Sequence, residues 1–271
     1  MPGGWPIFSN ICNAVQYGTI AYPFGISVPP NATANTKGTT PTQITAATTQ
    51  ECRFIEVLVL ARTSGTRTCG SVDIMIGAAA SERIIMADLV ATCQDSPSMV
   101  RYAMPLNIPV GTRIAARSQM AGTAGTGTLM SVQIRTWDGA YVQDEGYAGL
   151  DAISFLAAST KGTAVTPHAT AGTKGSYVNL GSATARDYNG LIVTFDQQNV
   201  AYVQDYYWTD VAIGAGNTII IPNLELYQYD GSFSGQTFYP VQIPAGTQLS
   251  ARCTCGGGGS PAIGVTVYGA Y

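Results

Sequence analysis

The order of apolar and polar positions along the chain predicts short strands. Residues 54–60 (Phe-Ile-Glu-Val-Leu-Val-Leu) and 191–195 (Leu-Ile-Val-Thr-Phe) are dense in β-branched and aromatic side chains and read as inner strands. Residues 72–77, 132–137 and 265–268 alternate apolar with polar, the two-residue period of a strand buried on one face. Ile108-Pro109-Val110-Gly111-Thr112 places a turn ahead of a strand at 112–117, because proline fixes φ and glycine reaches backbone angles closed to other residues. Turn signals recur throughout, and no stretch carries a helical period over ten residues. The pattern predicts an all-β chain of antiparallel, jelly-roll-like sandwiches.

The pattern also repeats. Residues 30–38 (Pro-Asn-Ala-Thr-Ala-Asn-Thr-Lys-Gly) match 167–175 (Pro-His-Ala-Thr-Ala-Gly-Thr-Lys-Gly) at seven of nine positions, at an offset of 137. Residues 108–117 (Ile-Pro-Val-Gly-Thr-Arg-Ile-Ala-Ala-Arg) match 243–252 (Ile-Pro-Ala-Gly-Thr-Gln-Leu-Ser-Ala-Arg) at an offset of 135. Gly139-Ala140-Tyr141 answers Gly269-Ala270-Tyr271. Anchors in one order with slowly drifting offsets predict a tandem duplication. The expected divisions are an N-terminal arm over 1–17, a first sandwich over 18–141, a linker over 142–149 and a second sandwich over 150–271.

Composition sharpens this picture. Of the 271 residues 46% are hydrophobic and only 11% charged, against about 25% charged in an ordinary soluble protein. The net charge is −3 and the 13 Lys and Arg are scattered, so no basic stripe is available for a phosphate backbone and no nucleic acid partner is expected. The apolar runs at 57–61, 153–156 and 219–221 fall far short of the roughly 18 residues of a spanning helix, so no membrane partner is expected. The N-terminus lacks the features of a secretory signal, which suggests synthesis in the cytoplasm.

Six cysteines stand at Cys12, Cys52, Cys69, Cys93, Cys253 and Cys255. With one histidine in the chain, His168, and no C-x-x-C pair, the usual zinc sets are out of reach. The thiols are then buried and free, bridged within a sandwich, or bridged between subunits, and all six are candidate disulfide cysteines. Cys253 and Cys255 are not expected to bond to each other.

Catalytic chemistry is sparse. His168 corresponds to Asn31 in the matching segment, which suits a loop residue better than a general base. Asp73, Asp88, Asp210 and Asp230 are isolated along the sequence, and the run Gly256-Gly257-Gly258-Gly259 lacks the lysine and helix of a phosphate loop. No catalytic residue, metal or cofactor is expected, and the chain reads as a non-enzyme.

Two features point to contacts with other molecules. Residues 1–36 and 253–271 contain no charged side chain, and charge depletion marks buried interface cores, so Trp5, Ile7, Phe8 and Ile11 are candidate subunit-interface residues. Tyr202, Tyr206 and Trp208 fall on one face of a strand as a candidate surface aromatic cluster, suited to core and interface contacts or to a glycan.

The repeated Ile-Pro-x-Gly-Thr anchors at 108–112 and 243–247, the Thr-Lys-Gly loops at 36–38 and 173–175 and the closing tyrosines resemble virion structural proteins of tailed bacteriophages. The likeness is to the tandem β-sandwich neck, collar and capsid-decorating type. It implies a non-enzymatic protein located in the virion, present in many symmetric copies, whose partners are itself and other virion proteins. It favours the collar or neck, and disulfide reinforcement between subunits. The alternative is a receptor- or glycan-binding module of a phage fibre or surface structure.

Overall fold

The structure is a computed structural model that describes residues 14–18, 25–62, 68–93, 98–121, 129–138, 147–154, 162–197, 205–228, 237–258 and 261–271. Every regular element in them is a strand. The first half contains β1 (Ala14–Tyr17), β2 (Ile26–Ser27), β3 (Thr42–Thr45), β4 (Cys52–Arg62), β5 (Thr68–Ile76), β6 (Arg83–Cys93), β7 (Ser98–Ile108), β8 (Ile114–Met120) and β9 (Leu129–Trp137). The second contains β10 (Leu150–Ala152), β11 (Thr163–Val165), β12 (Val178–Asn179), β13 (Gly190–Gln197), β14 (Asp205–Ile213), β15 (Thr218–Gln228), β16 (Thr237–Tyr239), β17 (Leu249–Cys255) and β18 (Ile263–Ala270).

Each half is a sandwich of two antiparallel sheets with jelly-roll order. In the first, the sheet β1-β9-β4-β7, with β2 also on β9, faces β6-β5-β8-β3. In the second, β16-β13-β18, with β10 and β11 also on β18, faces β12-β17-β14-β15. Strand alternation fills the space between: Ile55, Val57, Val59 and Ala61 of β4 enter the first core, and Leu191, Val193 and Phe195 of β13 the second. On the outer side of β4, Glu56 receives Arg101 and, at 3.1 Å, Arg135.

The two sandwiches in tandem agree with the strand pattern, but they are joined in a way the pattern does not announce. The short strand β10 pairs antiparallel with β18 and parallel with β6, Leu150 opposite Met86, so one nine-stranded sheet serves both halves. Tyr147 bridges to Leu106 beside this joint, and the Asn107 amide donates to its carbonyl at 3.2 Å. Ile192, Tyr268 and Ala270 from the second half are packed into the core of the first, with Phe238 against them. The Tyr268 hydroxyl accepts from the Val90 amide at 3.0 Å and donates to the Asp88 carbonyl at 2.8 Å. The sandwiches are therefore one packed body.

Since β10 is parallel to β6 and antiparallel to β18, both sandwiches point the same way. The turns after β5 (77–82) and after β14 (214–217) emerge at one common end, together with the Ile-Pro-x-Gly-Thr turns.

Candidate functional site

The same polar lock occurs on the outer face of each sandwich. In the first, Asp73 on β5 accepts from Lys37 Nζ at 2.8 Å through Oδ1 and from Arg117 Nε at 2.8 Å through Oδ2. In the second, Asp210 on β14 accepts from Lys174 Nζ and from Arg252 Nε, each at 3.0 Å. Both aspartates sit at a β-bulge, and in both the residue across the bulge, Asp88 or Asn223, has φ of 50° and donates its amide to the aspartate. Asp and Asn tolerate that left-handed conformation better than other side chains with a Cβ. Burial alone would raise the pKa of both carboxylates, but the opposing effects prevail and both lie below the ordinary value. For Asp73 these are chiefly the charge and hydrogen bond of Lys37, and for Asp210 the Asn223 amide followed by Lys174 and Arg252.

These locks explain the Thr-Lys-Gly repeat. The Gly38 and Gly175 amides donate to Ser118 and Cys253 carbonyls at 3.1 and 2.8 Å, strapping each loop across its outer sheet while the lysine reaches the aspartate. Asp73 and Asp88, isolated in sequence, are brought together on Lys37, whose Nζ lies 2.7 Å from Asp88 Oδ1. The first lock is charge-balanced; the second, with Asn223 in place of the second acid, carries one surplus positive charge, and Arg252 lies over the Tyr177 ring at 4.6 Å.

The Ile-Pro-x-Gly-Thr turns are each held by a threonine that lies outside the motif. Thr48 Oγ1 donates to Pro109 O at 2.8 Å and accepts from the Thr112 amide at 3.0 Å. Thr184 Oγ1 donates to Pro244 O at 2.7 Å and accepts from the Thr247 amide at 2.9 Å. Gly111 and Gly246 adopt φ of 79° and 76°, the reason for glycine in the motif. The offset of the anchors, carried to single polar residues, also pairs Thr48 with Thr184 and Asp73 with Asp210.

His168 Nδ1 accepts the Thr170 amide at 3.0 Å, as Asn31 Oδ1 accepts the Thr33 amide at 2.8 Å, so both residues cap equivalent turns. Among the described residues no three His, Cys, Asp or Glu side chains gather as a metal group would require.

Four of the six candidate disulfide cysteines are not bridged within the chain. Cys52, Cys69, Cys253 and Cys255 are buried and form no disulfide. Cys52 Sγ donates to Phe54 O and Leu106 O, and Cys253 Sγ donates to Val165 O. Cys253 and Cys255 share one face of β17 and enter the same core. Burial pushes the Cys52 and Cys253 thiols up to about 12, so they stay protonated and unreactive near neutrality. Cys12 and the Cys93 side chain lie outside the described residues, as do Trp5, Ile7, Phe8 and Ile11.

Of the aromatic cluster, Tyr206 and Trp208 share the outer face of β14, their rings stacked at 6.2 Å and 20°. Tyr206 is exposed, and Glu225 on β15 stands opposite Trp208. Tyr202 lies outside the described residues. Tyr207 points inward, its hydroxyl donating to Pro261 O at 3.2 Å.

No family model matches the chain, and no curated protein matches it. Among solved structures, that of PNGF-II is similar at a TM-score of 0.40 and 7% identity; the match covers 95% of this chain and spans 65% of that one. A putative secreted protein from Parabacteroides distasonis has a TM-score of 0.22 at 7% identity, with 95% and 88% covered. Tripeptidyl peptidase 2 has a TM-score of 0.28 at 8% identity, with 98% and 24% covered. At such scores the fold rests on its own strand order.

Proposed function

We propose that the chain is a non-enzymatic structural subunit of a bacteriophage virion, used in many copies at the collar, neck or particle surface. The observation that carries this reading is where the charges go. Asp73, Glu56 and Asp210 are buried acids, each gripped by two cations of the same chain. The residues of the turn tips at the common end are small and uncharged, Gly77-Ala78-Ala79-Ala80, Pro109-Val110-Gly111, Gly214-Ala215-Gly216 and Pro244-Ala245-Gly246, with one exposed acid, Asp187, held on the Ala245 amide at 2.7 Å. Val110 there is 63% exposed. Buried acids met by cations of the same chain, with small-residue tips, suit close contact with neighbours, since they lower the desolvation cost of packing copies together. Two sandwiches locked into one body add a rigid unit that can repeat about an axis.

The test is sedimentation velocity and negative-stain microscopy of the purified chain, followed by its detection in purified phage particles. Rings, sleeves or discrete high-order species, with the chain present in virions, are expected. A strict monomer absent from particles would overturn the proposal. The second reading, a glycan-binding module, is favoured by the exposed Tyr206–Trp208 pair alone. A monomer or trimer that binds glycans and loses binding in Tyr206→Ala would favour it instead.

A further inference from the structure

The internal joint has an unfilled counterpart. Matching strand registers pair β1 with β10, since Ala14 opposes Trp137 on β9 as Leu150 opposes Ala270 on β18. They likewise pair β6 with β15, because Asp73 and Asp210 bind the amides of Asp88 and Asn223 in the same way. Within the chain, β10 covers the edge of β6. Among the described residues β15 pairs only with β14, and β1 only with β9, so the two strands equivalent to the joint's partners each keep one open edge. An open strand edge is a template for another strand.

Burial follows the same asymmetry. Ile85, Leu89, Met104 and Leu106 are 0–1% exposed where the second sandwich closes the side of the first. Their counterparts Ile220, Leu224, Tyr239 and Val241 are only partly buried, along the corresponding side between β15 and β16. One charge pair fits the same frame, although Glu56 stands where the internal joint has Ile192. By strand register, which sets the closing Gly-Ala-Tyr match three positions out, Tyr268, whose hydroxyl meets the Val90 amide, corresponds to Arg135, and Val90 corresponds to Glu225. Arg101 and Arg135 share the single carboxylate of Glu56, leaving one positive charge in excess, and Glu225 is exposed.

From these relations we infer that the open side of the second sandwich receives the first sandwich of another copy of this chain, its β1 lying parallel to β15 with Ala14 opposite Ile221. Arg135 of the incoming copy then faces Glu225. The contact joins unlike surfaces, so it closes into a ring or continues as a filament. The inference deepens the assembly reading above, and rests on it, by naming the edges that meet.

Ala14→Cys and Ile220→Cys are made in separate proteins, each with Cys12→Ser and Cys93→Ser; the four buried native thiols do not compete. They are mixed and treated with a short bis-maleimide. Cross-linked dimer is expected only when both proteins are present. Oligomers in sedimentation without that cross-link, or cross-linking of either protein alone, would overturn the edge assignment while leaving the assembly reading in place. A monomer at every concentration would overturn both. Leu224→Lys supplies a second readout: dissociation to the 28.3 kDa chain with an unchanged far-ultraviolet spectrum is expected, and retained oligomers in a folded variant would contradict the inference.

Discussion

Tyr102 of the first sandwich and Tyr268 of the second meet edge to face, ring centroids 5.7 Å apart and planes at 80°, with both side chains wholly buried. Their hydroxyls are 3.4 Å apart, and Tyr102 donates to the Val90 carbonyl at 2.7 Å. Burial, above other effects, drives both phenols well above the ordinary tyrosine pKa, so they remain neutral donors. The pair fastens the second half into the first core.

Thermal unfolding is therefore expected as one transition reporting both halves. Tyr268→Phe leaves the Val90 amide without its acceptor in a dry site and should cost about 1–3 kcal/mol. Tyr268→Ala should cost about 3–5 kcal/mol, the scale of a large aromatic truncation. Two separated calorimetric transitions in the unaltered chain would contradict the shared-sheet account.

The aspartate locks predict an acid limb. The folded pKa values of Asp73 and Asp210 are depressed, so their contribution is complete above the unfolded carboxylate value of about 4 and is lost as pH falls through the lower folded values. Melting temperature should drop steeply below about pH 4. Asp73→Asn leaves Lys37 with Asp88 alone and takes the carboxylate from Arg117, and should cost about 1–3 kcal/mol near neutrality, with a shallower acid limb. An unaltered acid limb in the double variant Asp73→Asn/Asp210→Asn would assign it to other groups.

Thiol labelling separates buried free cysteines from bridged ones. Cys52, Cys69, Cys253 and Cys255 should resist alkylation in the native protein and all react after unfolding without reductant, read by peptide mass spectrometry. A bridge found at any of these four would contradict the packing around them.

The turn glycines offer a test of backbone strain alone. A Cβ at Gly111 or Gly246 would meet nothing within 4 Å, yet both have positive φ. Gly111→Ala should thus cost about 1–2 kcal/mol from conformation, not collision, measured by urea unfolding with an unchanged slope.

Much of this was legible in the sequence because it is local. The Thr-Lys-Gly and Ile-Pro-x-Gly-Thr segments each build a turn whose own residues close it, and strand alternation marks the faces of β4 and β13. The joint was not legible, since a three-residue strand such as β10 has no pattern of its own and acquires its pairing from the sheets beside it. Asp73 and Asp88 meet only because a bulge turns them toward Lys37. The cysteines left three states open for a related reason: their number says nothing of the geometry that buries Cys253 and Cys255 side by side.

The central claim is that copies of this chain repeat on one another the joint that each contains internally. An electron cryo-microscopy map of the assembled species tests it most directly. The account predicts strand density from a neighbouring copy running parallel to β15, with Ala14 beside Ile221 and Arg135 facing Glu225. A map in which copies touch elsewhere and the β15 edge stays open to solvent would contradict it.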